Sequence, residues 1–363
     1  MLINMNIGGT ERSLLNLLYT LDPEEYDVTL LLFENKGGYM EGIPSWVHVR
    51  TLEGYQAMKP EIMEPPLAVA VRHFKNGKPG RAAGIALRHL IYKLMGSRTA
   101  YYRYVMSSTK DSSEKYDTAV AYVGPMDFIS LFILEHVKAK KKIQWIHFDV
   151  SRIYFDTEYA KRHYPGFDRI YTVSEAVQKQ LLQALPEIAG ITEIRHNIVS
   201  KEQCLKEAER GHGFTDNFDG TRILTVGRLS KEKGQEIIPS IASELKKRGY
   251  HFRWYLIGGG KTEHVIIDKI TEYKLENDVI LLGTIKNPYP YYAQCNIYVQ
   301  TSLYEGYSMS LLEAQLFNKP IISTNVAGAE DILNKSPQET IVNNEKELVK
   351  AIENRLIEMT EIN

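Results

Sequence analysis

The sequence lacks several features that would each define a class of protein. Its only cysteines, Cys204 and Cys295, lie far apart and outside any CxxC or Cys/His cluster, which argues against a zinc site or a disulfide scaffold and favours a reducing cytoplasm. No apolar run approaches the roughly 18–20 residues of a membrane span, and the N-terminus lacks the basic-then-apolar order of a signal peptide. Lys plus Arg number 44 against 45 Asp plus Glu, so the net charge of -1 gives no general case for binding nucleic acid.

The length of 363 residues, with 44% hydrophobic residues, is enough for two domains with their own cores. In the first half, short apolar runs alternate with helical patterns, which is typical of a parallel α/β sheet. The predicted strands are 26–33, 47–52, 118–123, 143–147, 169–173 and 193–196. The predicted helices are 11–21, 81–107, 126–138 and 175–184. A strand should precede Gly8-Gly9, and we expect it either to be very short or to be truncated.

A second α/β series follows a polar, glycine-containing stretch. We place an N-terminal domain at 1–200, a linker at 201–220, a C-terminal domain at 221–345, and a final helix at 346–363 that packs back on the N-terminal domain. The predicted strands of the second series are 222–226, 252–257, 279–282, 297–300 and 320–323. Two such halves predict a cleft between them, with ligands at the carboxyl ends of the strands.

Three segments after predicted strands of the second series carry candidate binding residues. The first contains Arg228 and Lys233, two cations that suit a diphosphate, although a solvated Lys/Glu loop fits the same spacing. The second is the glycine run from Gly258 to Gly260, which would let backbone approach a ligand but also suits a tight turn. The third contains the two acids that follow.

Glu305 and Glu313 lie on either side of a predicted helix start at Ser308. Glu305 precedes a helix N-terminus, whose free amides favour phosphate. Glu313 falls beside a buried stripe of Met309, Leu312 and Leu316, and it needs donors, either sugar hydroxyls or a structural Arg or Lys. The segment therefore predicts a site for a sugar, a diphosphate and a ribose.

These motifs resemble a known family. The order GRLSKEKG, LIGGG, LLGTI, YEGYSMSLLEAQ and KPIISTNVAGAEDIL is similar to the C-terminal half of retaining GT-B glycosyltransferases of family 4, with Glu305 and Glu313 as the E-x7-E pattern. The N-terminal NIGGTERSLLNLL and WIHFD are also similar to that family. The resemblance implies an α/β GT-B fold with two Rossmann-like domains facing across a cleft.

The resemblance also implies roles for individual residues. Arg228 and Lys233 would neutralise the donor diphosphate, Glu305 would hold the donor sugar, and Glu313 the ribose. A further set would contact the donor: Gly9, Gly258, Thr284 near the base, and Gly306, Tyr307, Ser308 and Met309 around the phosphate. His147 would be the catalytic histidine beside the sugar, whereas a lone histidine is more often structural.

The function that the resemblance implies is transfer, with retention, of a sugar from a nucleoside-diphosphate sugar to a cell-surface polysaccharide or lipid-linked glycan. No cofactor and no metal is expected, and the acidic triplet Asp156-Thr157-Glu158 is interpreted as incidental. Two other classes stay open: a sugar-nucleotide 2-epimerase, and a non-catalytic partner of an active transferase. The E-x7-E segment favours the transferase.

The stretch from Arg72 to Arg103 contains eight Lys or Arg residues and no Asp or Glu. One interpretation is a solvated helix face whose apolar stripe, around Leu87 and Leu94, packs on the domain. The other is a surface that sits on anionic lipid and helps take a lipid-linked acceptor, which would make the protein peripheral at the inner face of the membrane. RNA has no other support in the sequence.

Overall fold

The chain forms two compact units. The computed structural model of the protein describes residues 1–96, 98–107, 109, 114–333 and 336–362. Unit 1 comprises Met1–Asn6 and Asp22–His196, and unit 2 comprises Ile7–Leu21 and Asn197–Asn363. The chain therefore changes unit at residue 197, before the predicted linker, and the first helix groups with the second unit.

Unit 1 is built on parallel strands. Its described strands are β1 (Thr29–Leu32), β2 (His48–Thr51), β3 (Lys115–Gly124), β4 (Lys138–Ile146), β5 (Arg169–Thr172) and β6 (Thr192–Ile194). They form a two-stranded sheet, β1-β2, and a four-stranded sheet, β3-β4-β5-β6. Leu2 forms a parallel bridge with Leu32, and Met1 O accepts a hydrogen bond from Tyr122 N of β3 (3.3 Å). The segment before Gly8-Gly9 thus pairs with β1 through Leu2 and bonds to β3 through Met1.

The helices of unit 1 differ most from prediction between the second and third strands. Its described helices are α2 (Tyr55–Met63), α3 (Pro66–Lys75), α4 (Pro79–Met95), α5 (Thr99–Met106), α6 (Asp127–His136), α7 (Thr157–His163) and α8 (Glu175–Ala184). The single predicted helix 81–107 is wrong, because Gly96, with φ of +68°, ends α4 in the left-handed conformation. Residue 97 of that prediction lies outside the described residues.

Unit 2 contains one parallel six-stranded sheet within the described residues. Its strands are β7 (Thr221–Val226), β8 (Phe252–Ile257), β9 (Val279–Gly283), β10 (Ile297–Gln300), β11 (Ile321–Thr324) and β12 (Glu339–Val342), in the order β12-β11-β10-β7-β8-β9. The sequence did not predict β12. This edge strand is mostly half-exposed and lacks the continuous apolar run of a strand buried on both faces.

Helices cover both faces of this sheet. They are α1 (Gly9–Thr20), α9 (Lys201–Glu209), α10 (Ile238–Lys247), α11 (Glu263–Tyr273), α12 (Tyr289–Gln294), α13 (Met309–Leu316), α14 (Ala329–Ile332) and α15 (Glu345–Ile362). The segment predicted as a linker, 201–220, begins with α9, which Ser200 caps by accepting a hydrogen bond from Gln203 N (3.4 Å).

The C-terminal helix contributes to a core of unit 2, and its predicted packing on the N-terminal domain stays a prediction. Leu348, Ile352 and Leu356 of α15 are buried in the same core as Trp254 of β8, because their helical spacing makes one apolar stripe that the sheet can cover. The other face of the sheet has its own core, which includes Tyr298 of β10. Among the described residues, no helix is both long and apolar enough to cross a membrane.

Candidate active site

Three loops lie side by side at the carboxyl ends of β7, β8 and β9. Gly227 N donates to Ile257 O (2.9 Å), and Gly258 N donates to Gly283 O (2.8 Å). Gly258 has φ of +145°, and a Cβ there would lie 1.9 Å from the carbonyl oxygen of Gly227. Glycine is therefore required at 258 for the backbones to approach so closely. A Cβ on Gly259 would lie 2.9 Å from Thr284 Oγ1, so the exposed Thr284 borders this glycine loop.

The loop after β7 also docks on the loop after β10. Thr301 Oγ1 donates to Lys233 O (2.9 Å), and Leu303 N donates to Glu232 O (2.8 Å). Gly234 makes this contact possible, because it is left-handed (φ +65°) and its α-carbon faces the carbonyl oxygen of Thr301. The two loops that carry the predicted diphosphate cations and the predicted sugar carboxylate thus share one edge of the sheet.

Lys233 and Glu305 meet at this edge. Lys233 Nζ donates to Glu305 Oε1, and Ser302 Oγ donates to the same oxygen (2.7 Å). The side chains of Lys233 and Glu305 are 23% and 10% exposed. The pair is therefore mostly desolvated but still reached by solvent, which is the setting in which a charged ligand can compete for a charged side chain. The structure brings these two predicted residues together.

Arg228 lies on the same loop as Lys233 but faces α1. Its side chain is exposed, and a Cβ on Gly8 would lie 3.8 Å from Arg228 Nη2 and 2.5 Å from Glu11 Oε2. Burial raises the pKa of Glu11, and the Arg228 charge opposes that rise. Gly9, the first residue of α1, is exposed, and a Cβ there would have nothing within 4 Å. The start of α1 therefore adds a carboxylate, Glu11, that the sequence interpretation missed.

The segment from Gly306 to Met309 leads into α13. Ser308 is the N-cap residue, but its side chain makes no capping bond and instead donates to Gln300 Oε1 of β10 (2.6 Å). Tyr307 packs beside Gly328, where a Cβ would lie 2.8 Å from its ring. The predicted cap is thus right in position and wrong in side-chain contact, and Ser308 ties the helix start to the sheet.

Glu313 is buried in the core beneath α13 and is 3% exposed. Tyr289 Oη donates to Oε1 (3.1 Å), Tyr292 Oη donates to Oε2 (3.3 Å), and Arg12 Nε lies 3.6 Å from Oε1. Arg12 also donates to Tyr289 Oη (2.7 Å) and to Lys286 O (3.1 Å). Burial raises the pKa of Glu313, and the arginine and the two phenols oppose the rise. The arginine that the sequence allowed as a structural donor is present.

The partners of Glu313 could be anticipated only in part. Tyr289 and Tyr292 are three residues apart on α12, the spacing that places two side chains on one helix face. Arg12, however, is 301 positions away in sequence, and only the fold brings α1 to α13. Ser13 of the same helix donates to Asn197 Oδ1 (2.8 Å), a buried contact that the sequence also did not indicate.

His147 belongs to unit 1 and is described there. It directly follows β4, and its backbone N donates to Gly124 O (3.0 Å). Its ring centroid lies 4.7 Å from that of Tyr122 and 6.0 Å from that of Trp145. Burial lowers its pKa to about 3, against an ordinary value of 6.5, so the ring is neutral. Nε2 is buried and has no hydrogen-bond partner among the described residues.

Acidic residues do not gather into a metal site in the described ranges, where no group of three or more His, Cys, Asp or Glu side chains is close enough to hold an ion. The triplet that was interpreted as incidental has local partners. Asp156 Oδ1 accepts a hydrogen bond from Tyr159 N (3.0 Å) as the N-cap of α7, and Glu158 pairs with Lys161 (3.2 Å).

A family model gives this sheet edge a context. The model described as "Glycosyl transferases group 1" matches residues 215–361, which include Arg228, Lys233, Glu305 and Glu313. Residues 215–361 are therefore similar to this family, and we call them the group 1 domain. This group 1 domain accounts for all of β7–β12.

Curated relatives match part of the chain. One is the N-acetylgalactosamine-N,N'-diacetylbacillosaminyl-diphospho-undecaprenol 4-alpha-N-acetylgalactosaminyltransferase of Campylobacter jejuni, 29% identical over 47% of this chain and 45% of that protein. Another is the capsular polysaccharide biosynthesis glycosyltransferase CapM of Staphylococcus aureus, 34% identical over 36% of this chain and 32% of that protein. The chain spans about half, or less, of the length of these relatives.

Solved structures match over nearly the whole chain. Anabaena HepE in complex with UDP has a TM-score of 0.63 at 18% identity and covers 99% of this chain and 90% of its own. The trehalose-6-phosphate synthase OtsA has a TM-score of 0.64 at 12% identity, with 98% and 90% covered. The chain therefore has the GT-B fold that the sequence predicted, and the prediction that it resembles glycosyltransferases is confirmed.

Proposed function

We propose that the protein is a retaining glycosyltransferase that moves a sugar from a nucleoside-diphosphate sugar to a cell-surface polysaccharide or a lipid-linked glycan. The observation that carries the proposal is the cluster of Lys233, Glu305 and Ser302 at the carboxyl edge of the unit 2 sheet, inside the group 1 domain. A cation and a hydrogen-bonding carboxylate at one point match a ligand that joins a phosphate to a sugar.

The charges at this edge suit departure of a diphosphate. When the bond between the sugar and the diphosphate breaks, negative charge grows on the phosphate oxygens. Arg228 and Lys233 would stabilise that charge, together with the free amides that begin α13. Lys233 would pass from Glu305 to the phosphate as the donor binds, which frees a Glu305 oxygen to accept sugar hydroxyls. These groups supply the electrostatic stabilisation without a metal ion.

The nucleoside of the donor is proposed to bind Glu313 and the loops after β8 and β9. A carboxylate accepts about four hydrogen bonds, and Tyr289, Tyr292 and Arg12 account for three positions on Glu313. The remaining position, on Oε2, would accept one ribose hydroxyl. Gly258 and Thr284 would lie along the base and ribose, since both border the loops after β8 and β9.

His147 is proposed to act as a neutral hydrogen-bonding group in catalysis. A protonated imidazole next to an oxocarbenium-like sugar would add a like charge, whereas the buried ring of His147 stays neutral. Its partnerless Nε2 supports this role.

Names of similar proteins support the classes of donor and acceptor. HepE was solved with UDP and with UDP-glucose. The similar Campylobacter enzyme is named for a diphospho-undecaprenol acceptor, and CapM for capsular polysaccharide biosynthesis. A nucleoside-diphosphate hexose or N-acetylhexosamine and an envelope glycan are therefore the substrates to test first.

The experiment begins with thermal shift against a panel of nucleotide sugars, because a ligand that binds only the folded state raises Tm with its concentration. The stabilising donor is then incubated with lipid-linked and polysaccharide acceptors, and the new linkage is analysed by NMR. We expect the anomeric configuration of the donor to be kept. An inverted linkage would reject retention, and a changed sugar nucleotide with donor alone would identify an epimerase. Donor binding without any product would favour a non-catalytic partner.

A further inference from the structure

The cations between Arg72 and Arg103 are mostly tied to other groups. Arg72 pairs with Glu64 (2.7 Å), Arg81 with Glu61 (2.6 Å) and Arg103 with Glu135 (2.5 Å). Arg88 lies 4.0 Å above the ring of Tyr104, and Arg98 lies 5.2 Å above that of Tyr92. These five side chains hold helices and loops of unit 1 together. The segment therefore does not present a continuous row of unpaired positive charges.

The apolar side chains of the same segment are the unusual feature. Seven of the nine large apolar side chains that are more than half exposed, among the residues that the structure describes, belong to α2, α3 and α4. The set is Met63 (56% exposed), Leu67 (53%), Val71 (54%), Phe74 (68%), Leu87 (54%), Leu90 (53%) and Leu94 (78%). The interpretation in which the stripe around Leu87 and Leu94 packs on the domain is thus wrong.

Helical spacing explains why these side chains lie on common faces. Leu67, Val71 and Phe74 are at i, i+4 and i+7 of α3, and Leu87, Leu90 and Leu94 are at i, i+3 and i+7 of α4. The opposite sides of the two helices hold the buried residues, such as Val69 and Ile85 (both 0% exposed). Since α3 packs against α4, the two stripes form adjoining exposed rows. We name these six residues the α3–α4 surface.

Free positive charge borders the α3–α4 surface. Lys75 ends α3, Lys78 precedes α4, and Lys93 is in the last turn of α4; all three are exposed. None of them has a carboxylate within ion-pairing distance in the described part of the chain. The nearby acids Glu61 and Glu64 are already paired with Arg81 and Arg72. The border is thus positive and the centre is apolar.

We infer that the α3–α4 surface binds the surface of an anionic lipid bilayer, with its leucine, valine and phenylalanine side chains inserted at the level of the headgroups and the three lysines against the anionic lipids. Leucine and valine are under-represented among the residues that dominate protein–protein interfaces, where tryptophan, tyrosine and arginine prevail. Apolar rows of leucine, valine and phenylalanine with flanking lysines are instead typical of helices that lie in the membrane interface. The inference does not depend on catalysis.

The test is co-sedimentation of the full chain with vesicles of phosphatidylcholine alone or mixed with phosphatidylglycerol. The apolar variant is Leu67→Ser/Phe74→Ser/Leu94→Ser, and we expect its partition coefficient to fall at least about tenfold on mixed vesicles. The matched control changes three exposed apolar residues elsewhere: Tyr26→Ser/Ile267→Ser/Ile357→Ser. It should bind as the parent does. All these side chains are exposed, so the Tm of both variants should stay near that of the parent.

A second variant separates charge from insertion. Lys75→Gln/Lys78→Gln/Lys93→Gln should weaken binding to mixed vesicles about tenfold or more, with no change on phosphatidylcholine alone. Its control is Lys201→Gln/Lys247→Gln/Lys350→Gln, which keeps the same net charge as the variant. Raising the salt from about 0.1 M to about 1 M should shrink the difference between the parent and the lysine variant.

Three outcomes would overturn the inference. The first is no binding of the parent to mixed vesicles beyond the background without vesicles. The second is equal binding of the parent and the apolar variant. The third is a dimer of the parent in solution that the apolar variant dissolves, which would assign the α3–α4 surface to a second copy of the chain.

Discussion

The carboxylates of Glu305, in a loop, and Glu313, in a helix, differ in how far solvent reaches the groups that bond to them. Glu305 bonds to the buried Ser302 and to Lys233, whose side chain solvent still reaches, so a ligand can take Lys233 as its own partner. Glu313, eight positions later, is enclosed by Arg12 and two tyrosines in the core. Two glutamates eight residues apart can therefore have different roles. The solvent exposure of the groups that bond to each carboxylate distinguishes those roles better than the residue type does.

The largest expected effect is on the loop side. Lys233→Ala and Glu305→Gln should each reduce the rate of sugar transfer by roughly 100-fold or more, because each removes a charged contact to the donor. The measurement is steady-state transfer at saturating acceptor. Lys231→Ala, an exposed lysine on the same loop, is the control and should keep near-parent activity. Near-normal turnover in both site variants, with folding intact, would reject this assignment.

The helix side should respond in stability as well as in binding. Glu313→Ala leaves Arg12 and two phenols without their shared acceptor, so we expect a loss of roughly 3 kcal/mol in the free energy of unfolding of unit 2. It should also weaken binding of the free nucleoside diphosphate, measured by calorimetry. Glu272→Ala, an exposed glutamate on α11, should do neither.

A double-mutant cycle sharpens the second prediction. If Arg12 and Glu313 interact as described, the losses caused by Arg12→Ala and Glu313→Ala will fall short of additivity by about 1 kcal/mol or more. Additive losses would show that the two charges are not coupled. A large loss of stability with unchanged nucleotide affinity would leave Glu313 a structural role only.

A smaller effect concerns pH and unit 1. Burial lowers the pKa of His147 to about 3, whereas an unfolded chain takes up the proton near 6.5. Between pH 6.5 and pH 3 the ring binds a proton in the unfolded state but not in the folded state. The contribution of the neutral ring to folding stability is therefore complete above pH 6.5 and is lost as the pH falls toward 3. Between about pH 7 and pH 5, His147→Gln should remove about 2 kcal/mol of the acid-induced loss.

Chemical denaturation at the two pH values measures this difference. The control is His264→Gln, since His264 is exposed on α11, and this variant should lose as much stability in acid as the parent. An unchanged acid response in the His147 variant would mean that the ring is protonated in the folded protein.

The smallest expected effect is that of chelation. Two cations and a helix N-terminus are available for the diphosphate, so EDTA should leave transfer within about twofold of the untreated rate. Complete loss of activity in EDTA, restored by magnesium or manganese, would contradict this and would place a metal ion beside the donor.

Sequence patterns predicted the elements whose signals are local. β8 (Phe252–Ile257), β10 (Ile297–Gln300) and α8 (Glu175–Ala184) lie where the apolar periodicity indicated. The meeting of Lys233 and Glu305 also followed, because both come after parallel strands of one sheet. The break at Gly96 was missed, since a glycine inside a long helical pattern is often tolerated and only its left-handed φ ends the helix.

Contacts between distant segments could not be predicted. Arg12 reaches Glu313 only because α1 packs against α13, and nothing within either segment encodes that proximity. The exposed α3–α4 surface was misjudged for a related reason. Helix α4 has two apolar faces, and only one of them can pack on the core. The buried face contains small residues such as Ala82, whereas Leu87 and Leu94, which were expected to be buried, lie on the exposed face.

The membership of α1 in unit 2 has a consequence for anyone who wishes to cut the protein into parts. A fragment that begins at residue 197 would strip Arg12 from Glu313 and Ser13 from Asn197, leaving buried polar atoms facing an open gap. Residues 7–21 must therefore be supplied with the second half. They can be added as a separate peptide or placed after α15 in a circularly permuted chain. If the peptide 7–21 binds the fragment, its dissociation constant would measure how strongly α1 packs on the rest of unit 2.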